Sequence, residues 1–182
     1  MGPSDAQKLQ TSSESSDQEI KLAQKQGEAL QETLRHMTQD ESHGQQKTVG
    51  DYIIAWANEK AEGLYILRDG HLEWQEPNDE NTHLEIAVCS AAEGRFIPGL
   101  MVFATLLDQN SKVVGTHQQP FLWHPWLYHY GRNWQVPNEG PYTLWVRVEV
   151  PKFPRHDKVN GKRFSQPVEV EFPNIRFVLG QK

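Results

Sequence analysis

His83 and Glu85, two apart in the run Thr82-His-Leu-Glu-Ile-Ala-Val-Cys89, form the sharpest local chemical signal in the chain. Alternate residues of a strand share a face, so an imidazole and a carboxylate project side by side. Such an edge supplies two donors for zinc, copper or iron. The same pattern also fits the wet face of a half-buried strand, and the local sequence by itself favours that plainer reading. His71-x-Glu73 repeats the form just after Asp69-Gly70, a tight hairpin signal, where a surface role is stronger still.

The second signal is Phe121-Leu-Trp-His-Pro-Trp-Leu-Tyr-His-Tyr-Gly-Arg-Asn-Trp134. Aromatic bodies with polar tips suit a partly buried wall, and Pro125 and Gly131 suit an irregular connection. Gly131 permits a backbone turn that presents His129 inward. His124 is a further candidate ligand, although a loop histidine before a proline is more often exposed. His156, in Arg155-His-Asp157, reads alone as an exposed histidine. His36, Asp40 and His43 have the spacing of a metal clip, but nothing rigid supports them. There is no nucleophile elbow, phosphate-cradling glycine loop or HExxH, so an enzymatic reading has nothing specific to rest on.

Composition narrows the function classes. Net charge is −6 with no basic block, which argues against a nucleic-acid partner. The single cysteine, Cys89, excludes an internal disulfide and a cysteine zinc cluster. No apolar run reaches transmembrane length. The start Met1-Gly-Pro-Ser-Asp has no apolar signal core, so a cytoplasmic location follows if Met1 is the native start.

These residues need elements to position them. Residues 1–50 lack aromatic residues and are rich in Gln, Ser, Glu and Lys, a polar, partly disordered composition. Within them Ile20, Ala23, Gly27, Leu30, Leu34 and Met37 form a helical stripe, and Ser16 with Glu19 forms a capping box. We therefore expect an amphipathic helix near 17–40, docked on the main domain or on a second copy in a homodimer, or simply solvated. Residues 51–182 read as one all-β domain, an antiparallel β-sandwich. Its runs are Tyr52–Ala57, Leu64–Arg68, His71–Gln75, Thr82–Cys89, Pro98–Leu107, Lys112–His117, Tyr142–Val150, Pro167–Phe172 and Ile175–Leu179. The strand Pro98–Leu107 reads as covered on both faces. Tyr142 at a strand start resembles the tyrosine corner of Ig-like sandwiches.

Taken together, several motifs resemble the bacterial periplasmic ferrous-iron transport protein family. They are His83-Leu-Glu85, Phe96-Ile-Pro-Gly-Leu100, His129-Tyr-Gly-x-Asn133, Gly140-x-Tyr142, and Arg155-His156 followed by Gly161 and Pro167. Their order and approximate spacing agree from about Tyr52 to Phe172. The resemblance implies an Ig-like sandwich that binds copper or iron beside an iron permease in the periplasm. Carried over residue by residue, it implies His83, Glu85, His129 and His156 as metal ligands. The family's methionine falls at Leu122, which cannot ligate, and the Asp-Gly-Pro before HYG is replaced by Trp126-Leu-Tyr128. Loss of a thioether shifts the expected metal toward Cu(II) or Fe(II), with Zn(II) also accommodated. The competing reading is a binding module in which Trp123, Trp126, Tyr128, Tyr130 and Trp134 form an exposed platform for a carbohydrate or protein partner.

Overall fold

The computed structural model describes residues 8–41 and 44–182, without the side chains of Asp40 and Glu41. In chain order the elements are α1 (Asp17–Arg35), a π-helical turn (His36–Glu41), β1 (Gln45–Val49), β2 (Tyr52–Glu59), β3 (Leu64–Arg68), β4 (His71–Gln75) and β5 (Thr82–Ser90). They continue with β6 (Val102–Leu107), β7 (Val113–Gln119), β8 (Phe121–Leu122), β9 (His129–Trp134), β10 (Tyr142–Val148) and β11 (Val168–Ile175). One sheet has the order β1-β2-β5-β9-β8 and the other β11-β10-β6-β7, with every pairing antiparallel. Strands β3 and β4 form a separate hairpin. Asp69 and Gly70 both have positive φ at its turn, as the twist of a two-residue hairpin loop demands.

The core fills from alternating strand positions. Ile54 and Trp56 of β2 and Leu84, Ile86 and Val88 of β5 join Leu144, Val146 and Phe172 of the other sheet in one buried cluster. The Tyr142 hydroxyl donates to the Asn138 carbonyl at 3.0 Å, closing a tyrosine corner at the start of β10. The architecture is an all-β, Ig-like antiparallel sandwich with an N-terminal helix.

Several strands depart from expectation, among them β1 (Gln45–Val49), which falls in the stretch read as a polar extension. The run Pro98–Leu107 becomes a strand only from Val102, because Gly99 turns the chain at φ +71°. Its burial alternates along β6 and so is complete on one face only. At the C-terminal end, the two runs 167–172 and 175–179 resolve into one strand, Val168–Ile175. Asn174 at φ +59° takes up a bulge opposite Tyr142 and Leu144, which keeps the pairing continuous.

The helix has both parts of its capping box. Ser16 Oγ accepts from Glu19 N at 3.3 Å, and Ser16 N donates to the Glu19 carboxylate at 2.7 Å. Ile20, Ala23, Gly27 and Leu34 are buried on one stripe. Leu34 and Met37 pack into a cluster with Ala55, Ala57, Ala87, Cys89 and Leu127, on the face of the five-stranded sheet opposite the sandwich core. A Cβ at Gly27 would lie 1.5 Å from the Glu93 carbonyl oxygen, so only glycine allows this approach. Gln31 Nε2 then donates to the Gly94 carbonyl at 3.1 Å. Ahead of the helix, Ser12 Oγ donates to Asp157 at 2.8 Å, and Gln10 exchanges two hydrogen bonds with Asn160. The central sheet is thus covered on both faces, and all nine residues of β5 are buried.

Candidate metal centre

The odd-numbered face of β5 carries His83 and Glu85, and β9 lies beside it with His83 opposite Asn133 and Glu85 opposite Gly131. Sequence reading places His129 in an irregular loop. The structure instead makes it the first residue of β9, because the aromatic stretch turns at 123–128 and re-enters the sheet. Gly131 is the residue that makes room. A Cβ there would lie 3.0 Å from His83 Nε2, 3.0 Å from His129 Cδ2 and 2.9 Å from the Leu84 carbonyl oxygen. With no side chain between them, the two imidazoles meet edge to face at 5.9 Å between ring centroids.

Ligand atoms of His83, Glu85 and His129 all lie within 4.8 Å of one another, and all three residues are buried. The Glu85 carboxylate is 3.6 Å from His129 Nε2. The plain reading of His83-x-Glu85 as a wet strand face does not hold, since His83 is 0% and Glu85 9% exposed.

Hydrogen bonds fix the tautomers. Asn133 Nδ2 donates to the Glu62 carbonyl at 2.7 Å, which turns Asn133 Oδ1 toward His83. That oxygen has no proton, so His83 Nδ1, 2.8 Å away, must be the donor. Likewise His129 Nδ1 donates to the Leu127 carbonyl at 3.2 Å. Both Nε2 lone pairs therefore face inward, and both Nε2 atoms are buried without a hydrogen-bond partner. Buried polar atoms seldom lack partners, and a neutral imidazole whose other nitrogen is fixed by a carbonyl or amide is the usual state of a metal ligand. Burial pushes His129 down to about 4, and the neighbouring His83 adds to the shift. Burial also lowers His83, partly offset by its bond to Asn133. The residues present therefore fit a divalent cation: two neutral nitrogens and one carboxylate oxygen converge on one point.

The other expected ligands are not members of this converging group. The His124 ring is 5.9 Å from that of His129 and packs edge-on against Trp126. His156 is not brought to the three; its side chain is 94% exposed and sits 3.6 Å from Glu14. Of the clip near the helix end, the Asp40 side chain and His43 lie outside the described residues. Sequence reasoning misses Glu62 and the orienting role of Asn133. Asn133 falls in the HYGxN motif, which carries a signal, whereas Glu62 sits in an ordinary polar connection that carries none.

A family model described as Fe2+ transport protein matches residues 67–178. No curated protein matches. Among solved structures, copper-reconstituted P19 from Campylobacter jejuni is similar, with 19% identity and a TM-score of 0.61 over 76% of this chain and 96% of P19. FetP of uropathogenic Escherichia coli strain F11 is also similar, with 19% identity and a TM-score of 0.60 over 75% of this chain and 95% of FetP. At such identities these neighbours establish the fold. The family model spans more than half of the sequence, and the chain belongs to the Fe2+ transport protein family.

Proposed function

We propose that the protein is a non-enzymatic binding protein for divalent iron or copper in an iron-uptake system, with His83, Glu85 and His129 as its metal ligands. One observation carries this reading: two buried imidazoles direct bare Nε2 atoms at a shared point beside a buried carboxylate. The solved copper-bound P19 and FetP variants support copper as one occupant, and the family's ferrous-iron description supports iron as the cargo. Recombinant expression of FetP in the periplasm supports a periplasmic location, and the family's Fe2+ transport description supports work beside an iron permease. Zn(II) suits the same donors. His156 joins the ligand set only if a second copy or a rearranged loop brings it there, and His124 only if its ring leaves Trp126.

The test is uptake by metal-free protein. About one equivalent of Cu(II), or of Fe(II) without oxygen, should bind per chain, as a single preformed site requires. His83→Ala and His129→Ala should each abolish it, and unchanged stoichiometry in both would remove the reading. An aromatic platform is less well supported. Trp123, Trp126 and Tyr128 are exposed, but Tyr130 and Trp134 are buried, and the Tyr130 hydroxyl is spent on the Ile97 carbonyl and the Leu100 amide, so the five rings do not form one exposed row.

A further inference from the structure

A divalent ion held by two neutral imidazoles and Glu85 alone would leave one net positive charge in a buried place, and an unpaired buried charge is costly. The structure holds a second carboxylate within reach. Glu62 follows β2, and its backbone clamps Asn133 from both sides: the carbonyl accepts from Nδ2 at 2.7 Å and the amide donates to Oδ1 at 3.3 Å. Its side chain is 20% exposed, and Oε1 lies 3.9 Å from the bare, buried Nε2 of His83. Ligand atoms sharing a tetrahedral ion at about 2.0–2.2 Å stand about 3.3–3.6 Å apart. The Glu85–His129 pair, at 3.6 Å, is already at that span; Glu62 is 3.9 Å from His83 but stands outside the group of three whose ligand atoms lie within 4.8 Å, so it joins them only by turning inward.

In the structure Glu62 is held back by Lys182. The ammonium lies 3.1 Å from Glu62 Oε2 and 2.5 Å from Glu59 Oε2. The backbone that carries it is anchored, because the Lys182 amide donates to the Ala61 carbonyl at 2.8 Å. When Glu62 turns inward, Lys182 keeps Glu59 as its partner, so neither charge is stranded.

We propose that Glu62 is the fourth protein ligand of the centre, and that Lys182 restrains it while the centre is empty. The inference rests on the metal-binding reading above. A set of two imidazoles and two carboxylates neutralises a divalent ion fully. It is also harder than a set completed by a third imidazole, which favours Fe(II), Cu(II) or Zn(II) over Cu(I).

The experiment is Cu(II) titration of the full chain, read by dissociation constant and by electron paramagnetic resonance. Glu62→Gln should weaken binding about tenfold or more and alter the copper spectrum, in line with loss of a ligand or of its support. Glu59→Gln should preserve the spectrum. Lys182→Met should tighten binding about two- to fivefold, the equivalent of releasing one exposed ion pair. Unchanged affinity and spectrum in Glu62→Gln, or weaker binding in Lys182→Met, overturns the Glu62 assignment. If His83→Ala and His129→Ala still abolish binding in that case, the metal-binding reading stands without it. If they do not, the reading itself fails.

Discussion

His83 presents a bare Nε2 because its Nδ1–H donates to Asn133 Oδ1, and Asn133 faces that way because Glu62 holds its amide nitrogen. Asn133→Ala removes the orienting acceptor but no ligand. It should raise the metal dissociation constant about 10- to 100-fold while one equivalent still binds, as outer-shell partners usually do. Calorimetric titration checks both numbers. The same two imidazoles set a pH dependence. Burial holds His129 near 4 and His83 below its ordinary value, so the native metal-free protein keeps both neutral where the unfolded chain would be protonated. Between the ordinary value of about 6.5 and the native value, the unfolded state binds more protons. Stability is therefore full above about pH 6.5 and falls as the pH drops toward 4, by on the order of 3 kcal/mol from His129. Denaturant titrations of wild type and His129→Asn across this range should diverge at high pH and converge toward pH 4. Parallel curves would contradict the shift.

At the scale of elements, the helix and the segment that leads into His129 are one packed unit. Leu34 and Met37 share a buried cluster with Leu127, and the Leu127 carbonyl accepts a hydrogen bond from His129 Nδ1–H. Leu34 is 0% exposed, so Leu34→Ala should cost about 2–5 kcal/mol for lost burial and the cavity left behind. Cys89 reports on the same packing. It lies in that cluster with its thiol pushed up to about 12 by burial, so the folded protein should resist a thiol reagent. Leu34→Ala should make labelling measurably faster; equal rates would show that the helix does not guard this face. Much of this level is legible in the sequence. The helix stripe and its capping box are readable because spacing and cap chemistry are local. The hairpin is readable because Asp-Gly fixes its turn. What the helix covers is not, because Ala55, Ala57 and Ala87 are small residues whose shared face exists only once β2 and β5 pair. The strand β9 is hidden by its aromatic and glycine content, which reads as loop until the sheet supplies its hydrogen bonds.

At the scale of the whole molecule, the centre draws on parts far apart in sequence. His83 and Glu85 come from β5 and His129 from β9, both within the span matched by the family model, while α1 and Glu62 lie outside it. Motif resemblance reaches the first group, since those residues sit in recognisable strings. It does not reach Glu62, which is placed by Asn133 on one side and by the C-terminal segment pairing with Ala61 on the other. Nor does it show that His156 stands exposed beside Glu14, because that depends on how residues 12–15 settle on the 157–160 loop. The central claim is that one metal ion is held between His83 and His129. X-ray absorption on protein loaded with one equivalent of Cu(II) addresses it most directly. Two imidazole nitrogens at about 2.0–2.1 Å, with their outer-ring scattering, are the expected result. That scattering should fall to a single imidazole in any copper that His83→Ala retains. A wild-type spectrum with one imidazole or none would contradict the account.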